Sequence, residues 1–127
     1  MKKIVVALIL SSVLGLAYET TINSTMSLMT QGMNQIQSGF LYSKRDEVKA
    51  GVVVLENANA IFSKVDVSVF IKHNNKVQVT KNISSNLAEH LKALKSAIEK
   101  ESYTDATKAY GEIIADCISC HRIVRGW

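Results

Sequence analysis

The chain has 127 residues, of which 47% are hydrophobic and 20% are charged, and its formal net charge is +4 at pH 7. This length favours a single domain. Lysine and arginine are dispersed along the sequence rather than gathered into a stripe, so the positive charge does not indicate a nucleic-acid-binding protein. Proline is absent, and helix-forming patterns recur four times. The sequence therefore predicts an all-α fold, in the form of a four-helix antiparallel bundle.

The first 17 residues have the features of a secretory signal peptide. Lys2 and Lys3 precede a short apolar run, and Gly15 and Ala17 supply the small residues that a signal peptidase recognises. The apolar run is shorter than the ~20 residues that a membrane span needs. We expect cleavage after Ala17, which leaves residues 18–127 as one exported domain without stable membrane insertion. An uncleaved membrane anchor is the alternative.

The first helix of the mature chain is predicted from about Thr20 to Ser38, with Gly39 ending it. Its apolar positions follow the spacing of one helical face: Ile22, Met26, Met29, Met33, Ile36 and Phe40. The second helix is predicted to begin near Ser43, whose hydroxyl can cap the first turn. Its inner face comprises Val48, Val52, Leu55 and Phe62. Gly51 on this helix is expected to allow close approach of a neighbouring helix.

Residues 64–82 depart from the helical pattern. Two alternating segments, residues 65–69 and 76–80, flank the sequence His73-Asn74-Asn75. Alternation around an Asn-rich turn predicts a small β-hairpin in this crossover. A long irregular crossover and a helix extension, in which tertiary contacts override β-propensity, are the alternatives.

The third helix is predicted from about Ser84 to Lys100. Asn86 and Glu89 have the spacing of a capping box, and Ser84 or Ser85 is the alternative cap. Its inward positions are Leu87, Leu91, Leu94 and Ile98. The same capping spacing recurs at Ser102, before the fourth helix. The apolar face of that helix contains Tyr103, Ala106, Tyr110, Ile113, Cys117, Cys120 and Val124.

The fourth helix contains the motif Cys117-Ile118-Ser119-Cys120-His121, which includes both cysteines of the chain. C-x-x-C-H is the pattern of covalent haem attachment in c-type cytochromes. On a helix the three functional residues share one face. The thiols of Cys117 and Cys120 can then bond the haem vinyl groups, while the His121 imidazole coordinates the iron. The sequence therefore predicts one covalently bound haem c inside the bundle.

Three other interpretations of the motif explain it less well. A structural zinc site needs four ligands, and His73 and His90 are the only other histidines. A thioredoxin-like cysteine pair opens a helix after a strand, whereas this motif lies on the last helix. A disulfide between residues three apart closes too small a loop to stabilise the fold much.

The stretch from Leu91 to Arg125 resembles the last two helices of the cytochrome c′ family and its low-spin, methionine-ligated relatives. The matching segments are Leu91-Lys92-Ala93-Leu94-Lys95-Ser96-Ala97, Tyr110-Gly111-Glu112-Ile113 and the C-x-x-C-H motif. Arg125, four residues after His121, matches a basic residue that the family usually carries beside the haem. The resemblance implies haem attachment outside the cytoplasm, a bacterial periplasmic location, and a homodimer packed through the first two helices.

In this family one position on the first helix determines what the haem does. An apolar residue there leaves the iron five-coordinate and able to bind nitric oxide or carbon monoxide, whereas a methionine gives a low-spin electron carrier. Matching the helical faces puts Met26 at this position as the distal iron ligand, with Met29 and Met33 beside the haem. An ungapped first loop would put Asn23 there instead. The family often has arginine one turn earlier, where this chain has Ile22, so a propionate contact is not expected from this helix.

A row of methionines can also be core packing, because the flexible side chain fills irregular gaps. His73 and His90 are rival iron ligands, with a solvated surface histidine as the alternative for each. The sequence predicts a periplasmic monohaem electron carrier, not an enzyme, which meets redox partner proteins in transient contacts. The alternative is a five-coordinate protein that binds nitric oxide or another small gas. A peroxidase-like enzyme is disfavoured, since the predicted distal face has no evident acid or base.

Overall fold

The computed structural model describes residues 2–69, 71 and 74–126, and only the backbone of residues 2–18 and 74. The elements in chain order are α1 (Lys2–Leu41), α2 (Arg45–Phe62), a 3-10 turn (Val67–Val69), α3 (Asn74–Glu99) and α4 (Tyr103–Arg125). Within the described residues every regular element is helical. The all-α prediction is confirmed, and the four helices are compatible with the predicted four-helix bundle.

The helices pair as two antiparallel hairpins. Residues 42–44 join α1 to α2 and residues 100–102 join α3 to α4, and connections this short make successive helices antiparallel neighbours. Contacts between α2 and α3 bring the two hairpins together. No described Cα atom of α1 lies within 8 Å of one in α4. The space between α1 and α4 is therefore closed by side chains rather than by close backbone packing.

The backbones of α1 and α2 approach each other closely where Gly32 of α1 faces Gly51 of α2. A Cβ atom on Gly51 would lie 2.7 Å from the carbonyl oxygen of Gly32 and 2.7 Å from the backbone nitrogen of Ile36. Real Cβ atoms do not approach backbone atoms that closely, so only glycine permits this separation. The expected close approach at Gly51 is confirmed.

The ends of α1 differ from the prediction. The helix is continuous from Lys2, so no boundary falls near Thr20, and it ends at Leu41 rather than at Gly39. Gly39 is buried against α2, where a Cβ atom would lie 2.5 Å from Cγ2 of Val48. Its role is therefore close packing, not termination. Within the part of the chain that the structure describes, no helix is long and apolar enough to cross a membrane.

The predicted β-hairpin at 64–82 is wrong for the residues that can be described. Residues 76–80 lie inside α3, which begins at Asn74 rather than Ser84, and residues 67–69 form the 3-10 turn. The predicted cap at Asn86 and Glu89 is therefore wrong as well, because it falls within the helix. Val77 packs against the buried side chains of Phe62, Val67 and Ile71. This tertiary contact outweighs the β-propensity of the alternating valines. His73, in the expected turn, lies outside the described residues.

The core is a continuous set of aliphatic side chains from all four helices. The main cluster contains Ile36, Val48, Val52, Leu55, Leu87, Leu91, Leu94, Ala97, Ile98, Ala106, Ala109 and Ile113. A second cluster, Phe62, Val67 and Ile71, fills the end of the bundle where the crossover lies. The predicted inward faces of α2 and α3 agree with these clusters. The main cluster thereby holds the α4 face ahead of the C-x-x-C-H motif in a fixed orientation.

Candidate haem site

The C-x-x-C-H motif lies on the penultimate turns of α4 and is helical throughout. Cys117 and Cys120 are half-buried and form no disulfide, while His121 is exposed. The helix continues to Arg125, and Gly126 closes it in the left-handed conformation with φ 73°. The regular helix gives the motif the one-sided arrangement that the spacing predicts.

Both thiols lie in a poorly solvated environment. Burial, together with the smaller effects of the nearby charges of Asp116 and Cys120, raises the pKa of the Cys117 thiol to about 11. Burial also raises the pKa of Cys120. The pKa of Tyr110 is raised by burial and by the charge of Cys117. The phenol and this thiol therefore lie near each other on α4. At neutral pH the two cysteines are therefore neutral thiols on an apolar wall.

A hydrogen bond of 2.7 Å joins Nδ1 of His90 on α3 to Oδ2 of Asp116 on α4. Asp116 is buried and immediately precedes the first cysteine of the motif. The sequence offered His90 as a rival iron ligand or a solvated histidine, and its contact with Asp116 was not predicted. The sequence feature that could have predicted this contact is position, because His90 and Asp116 each border the buried face of their own helix.

The methionines of α1 form the facing wall. Met26, Met29 and Met33 are all partly buried. Met29 and Met33 pack against the main core cluster. Met26 and Met29 also pack against the second cluster, and Val124 near the end of α4 packs against that same cluster. The structure therefore brings the methionine face of α1 and the last turns of α4 around one set of apolar side chains.

The ring pair Phe40 and Tyr110 sets the relative height of α1 and α4, with their centroids 5.2 Å apart. Met29 lies eleven residues before Phe40, and His121 lies eleven residues after Tyr110. Eleven residues are about three helical turns. Met29 therefore lies on the same face of α1 as Phe40, and His121 lies on the same face of α4 as Tyr110. Because α1 and α4 are antiparallel, Met29 and His121 are at the same height along the bundle. Met26 by the same reasoning is level with Val124, which agrees with their packing on one cluster.

The remaining predicted residues lie around this wall. Arg125 is exposed in the last turn of α4, and it forms no ion pair with a described carboxylate. Asn23 is exposed, whereas Ile22 is half-buried. Among the residues with described side chains, no three His, Cys, Asp or Glu groups converge in a way that could hold a metal ion.

The donor set on these two walls fits a covalently attached haem. Two neutral thiols and an imidazole project from one helix, and thioether side chains occupy the facing one. The seam between them has no close backbone contact, and its described lining is largely apolar. Cys117, Cys120 and His121 would hold the group on the α4 side. These are the ligand types that haem c uses in proteins.

A separate cavity of about 670 Å³ opens between α2 and α3. Asn59 and Ser84 border it and bond each other, since Nδ2 of Asn59 donates to the Ser84 carbonyl at 2.9 Å and the Ser84 hydroxyl donates to Oδ1 of Asn59 at 2.8 Å. Its lining includes no residue of α1 or α4. The cavity is therefore distinct from the wall that carries the thiols and methionines.

No protein family, no curated protein and no solved structure matches the chain significantly. The likeness to cytochrome c′ accordingly rests on the residues of the motif and of the last two helices. It stays a prediction from the sequence.

Proposed function

We propose that this protein is an exported monohaem c-type cytochrome that carries electrons in the bacterial periplasm. The observation that supports this proposal best is the pairing of the C-x-x-C-H face of α4 with the methionine face of α1 around shared apolar side chains. One helix thus offers attachment and a first axial ligand, and the other offers thioethers that can supply the second.

Each residue has a definite part in this proposal. Cys117 and Cys120 would hold the cofactor covalently, and the His121 imidazole would bind its iron. The bound haem supplies a one-electron couple between ferric and ferrous iron. The apolar side chains around the seam exclude water, which favours the state of lower charge. Arg125 contributes positive charge near the proximal side.

The distal ligand in this proposal is a methionine of α1. Alignment of the helical faces favours Met26, whereas the register set by Phe40 and Tyr110 favours Met29, because Met29 is level with His121. We take Met29 as the better-supported ligand and Met26 as its competitor. Met33 would then pack against the attachment side, level with Cys117.

A visible absorption spectrum of the holoprotein, with and without carbon monoxide, tests this function. We expect a low-spin spectrum with a sulfur-to-iron charge-transfer band in the ferric state and no change when carbon monoxide is added to the ferrous protein. A high-spin spectrum that shifts with carbon monoxide would favour the five-coordinate gas-binding function and contradict the electron-carrier function. Expression in a bacterial periplasm also tests export, because the mature chain should begin at Tyr18.

A further inference from the structure

Charge is distributed unequally between the two ends of the bundle. At the end that holds the connection between α1 and α2, two of the cations are paired with carboxylates, whereas the exposed Lys100 there is not. Lys44 lies 3.9 Å from Glu47, and Arg45 lies 2.6 Å from Glu101 on the neighbouring connection. The opposite end is formed by the end of α2, the start of α3 and the end of α4. Four of its exposed cations, Lys64, Lys76, Arg122 and Arg125, are what we call the basic end, and a fifth, Lys81 on α3, lies near the Asp66 carboxylate of the crossover.

None of the four cations at the basic end forms an ion pair with a carboxylate in the described part of the chain. Asp66 in the crossover is a described carboxylate at this end of the bundle. Asp66 accepts hydrogen bonds from the backbone N–H and the hydroxyl of Ser68, at 3.0 and 2.5 Å. Asp66 is thus engaged by Ser68 of its own turn and by the charge of Lys81, and it forms no ion pair with any of the four cations.

The four cations lie at one end of the bundle, because apolar residues close to them in sequence pack together in the second core cluster. Val124 lies between the two arginines, and it packs with Val77, which follows Lys76, against Phe62 and its partners. Lys64 follows the end of α2 by two residues. The charges therefore lie at the same end of the bundle, and Arg122 and Arg125 follow Cys120 by two and five residues.

An exposed apolar side chain lies next to this charge. Ile118, between the two cysteines, is 45% exposed. Arg122 and Arg125 follow it by four and seven residues and so share its face of α4. A small apolar centre with a charged rim is the arrangement of transient protein interfaces, where the charges steer the encounter and the apolar contact excludes water.

We propose that the basic end, together with Ile118, is the surface on which an electron-transfer protein with an acidic face docks. This proposal rests on the proposed electron-carrier function and adds the place and the charge of the partner. Carboxylates on the partner would compensate cations that have no partner within this chain. Cys117 and Cys120, which would hold the cofactor, are on the same helix as Arg122, Arg125 and Ile118 of this surface.

A charge-reversal pair tests the location of the docking surface. Lys64→Glu with Arg122→Glu changes the basic end, and Lys95→Glu with Lys108→Glu makes the same change in net charge on exposed helix positions away from it. The probe is ferricyanide, a small anionic oxidant of the reduced holoprotein. At ~10 mM ionic strength we expect the first pair to lower the bimolecular rate constant about fivefold or more, and the control less than twofold. Equal losses in both pairs would overturn the proposal, because the rate would then follow net charge alone.

A binding experiment tests the nature of the occupant. Poly-glutamate represents an acidic protein face, and vesicles rich in phosphatidylglycerol represent an anionic membrane. We expect the holoprotein to bind poly-glutamate at low salt, and the Lys64→Glu, Arg122→Glu pair to abolish that binding while the control pair retains it. Patch-dependent binding to vesicles without binding to poly-glutamate would overturn the proposal in favour of a membrane surface. Failure of the electron-carrier function is seen separately, as a high-spin spectrum that responds to carbon monoxide.

Discussion

His90 and Asp116 connect α3 to α4 at the residue immediately before the first cysteine of the motif, with 2.7 Å between Nδ1 and Oδ2. The side chain of Asp116 is only 12% exposed. A carboxylate so far from water needs a hydrogen-bond partner, because leaving a buried charge unpaired is costly. The pair therefore fixes the rotation of α4 against α3, and with it the direction in which Cys117 faces.

His90→Ala removes the partner of the Asp116 carboxylate. We expect the free energy of unfolding to fall by about 1–3 kcal/mol, measured by urea denaturation followed by circular dichroism. Glu89→Ala is the control, because it removes an ion pair with Lys92 in which the two side chains are 72% and 76% exposed. That loss should stay below about 0.5 kcal/mol. Similar small losses in the two variants would show that the buried bond does not fix α4.

Met29→Ala should convert the low-spin spectrum of the holoprotein to a high-spin spectrum that changes with carbon monoxide. The reason is that Met29 is level with His121 in the register set by Phe40 and Tyr110. Met26→Ala and Met33→Ala remove the same thioether one turn away and should stay low-spin. Loss of the low-spin state only in Met26→Ala would favour the alignment of helical faces over the register. Retention of it in all three variants would mean that α1 supplies no ligand.

Gly51→Ala should destabilise the bundle by about 1–3 kcal/mol, since the new methyl group overlaps the backbone of α1. Gly111→Ala is the matched control on α4, where a Cβ atom meets nothing within 4 Å. Alanine at that exposed helical position should raise stability by about 0.5–1 kcal/mol. Thermal unfolding of both variants measures the difference. An unchanged melting temperature in Gly51→Ala would contradict the close approach of α1 and α2.

Before haem attachment, the thiols should alkylate slowly at neutral pH. The folded chain holds the pKa of Cys117 at about 11 against the ordinary 9.0, so little reactive thiolate is present. The rate with iodoacetamide should rise toward pH 11 in the folded protein, but level off near pH 9 in urea. A plateau near pH 9 in both states would show that the thiols are not buried.

The same pKa shift makes the stability of the unattached protein depend on pH. The unfolded chain loses the thiol protons at lower pH than the folded chain does. The stabilisation is therefore complete below about pH 9 and declines as the pH rises through about 11. Urea denaturation at pH 8 and pH 10 should show the decline. The attached protein should lack this thiol contribution, because a thioether has no proton to lose.

Much of the helical core could be predicted because its signals are local. The face that contains Ile113 repeats every three or four residues, and its period is visible in the sequence. Gly51 was also predictable, since a glycine within an apolar helix face has few purposes other than close approach. The C-x-x-C-H motif specified the candidate site on α4 directly.

Other features depend on partners far apart in sequence. Val77 and Val79 alternate as in a strand, and the contact of Val77 with the crossover cluster favours a helix instead. The bond between His90 and Asp116 spans twenty-six residues. The register of α1 against α4 depends on one ring pair, Phe40 and Tyr110, which no local pattern reveals.

The missing backbone contact between α1 and α4 has a consequence for biogenesis. The α1–α2 hairpin and the α3–α4 hairpin are joined by the contact between α2 and α3, so the edge between α1 and α4 has no close backbone contact among the described residues. Separation of α1 from α4 at this edge would expose Cys117 and Cys120 without unwinding α4, because the backbone hydrogen bonds of α4 form within that helix. In the proposed cytochrome, a porphyrin would then enter the folded chain from this edge, and closure of the edge would bury it.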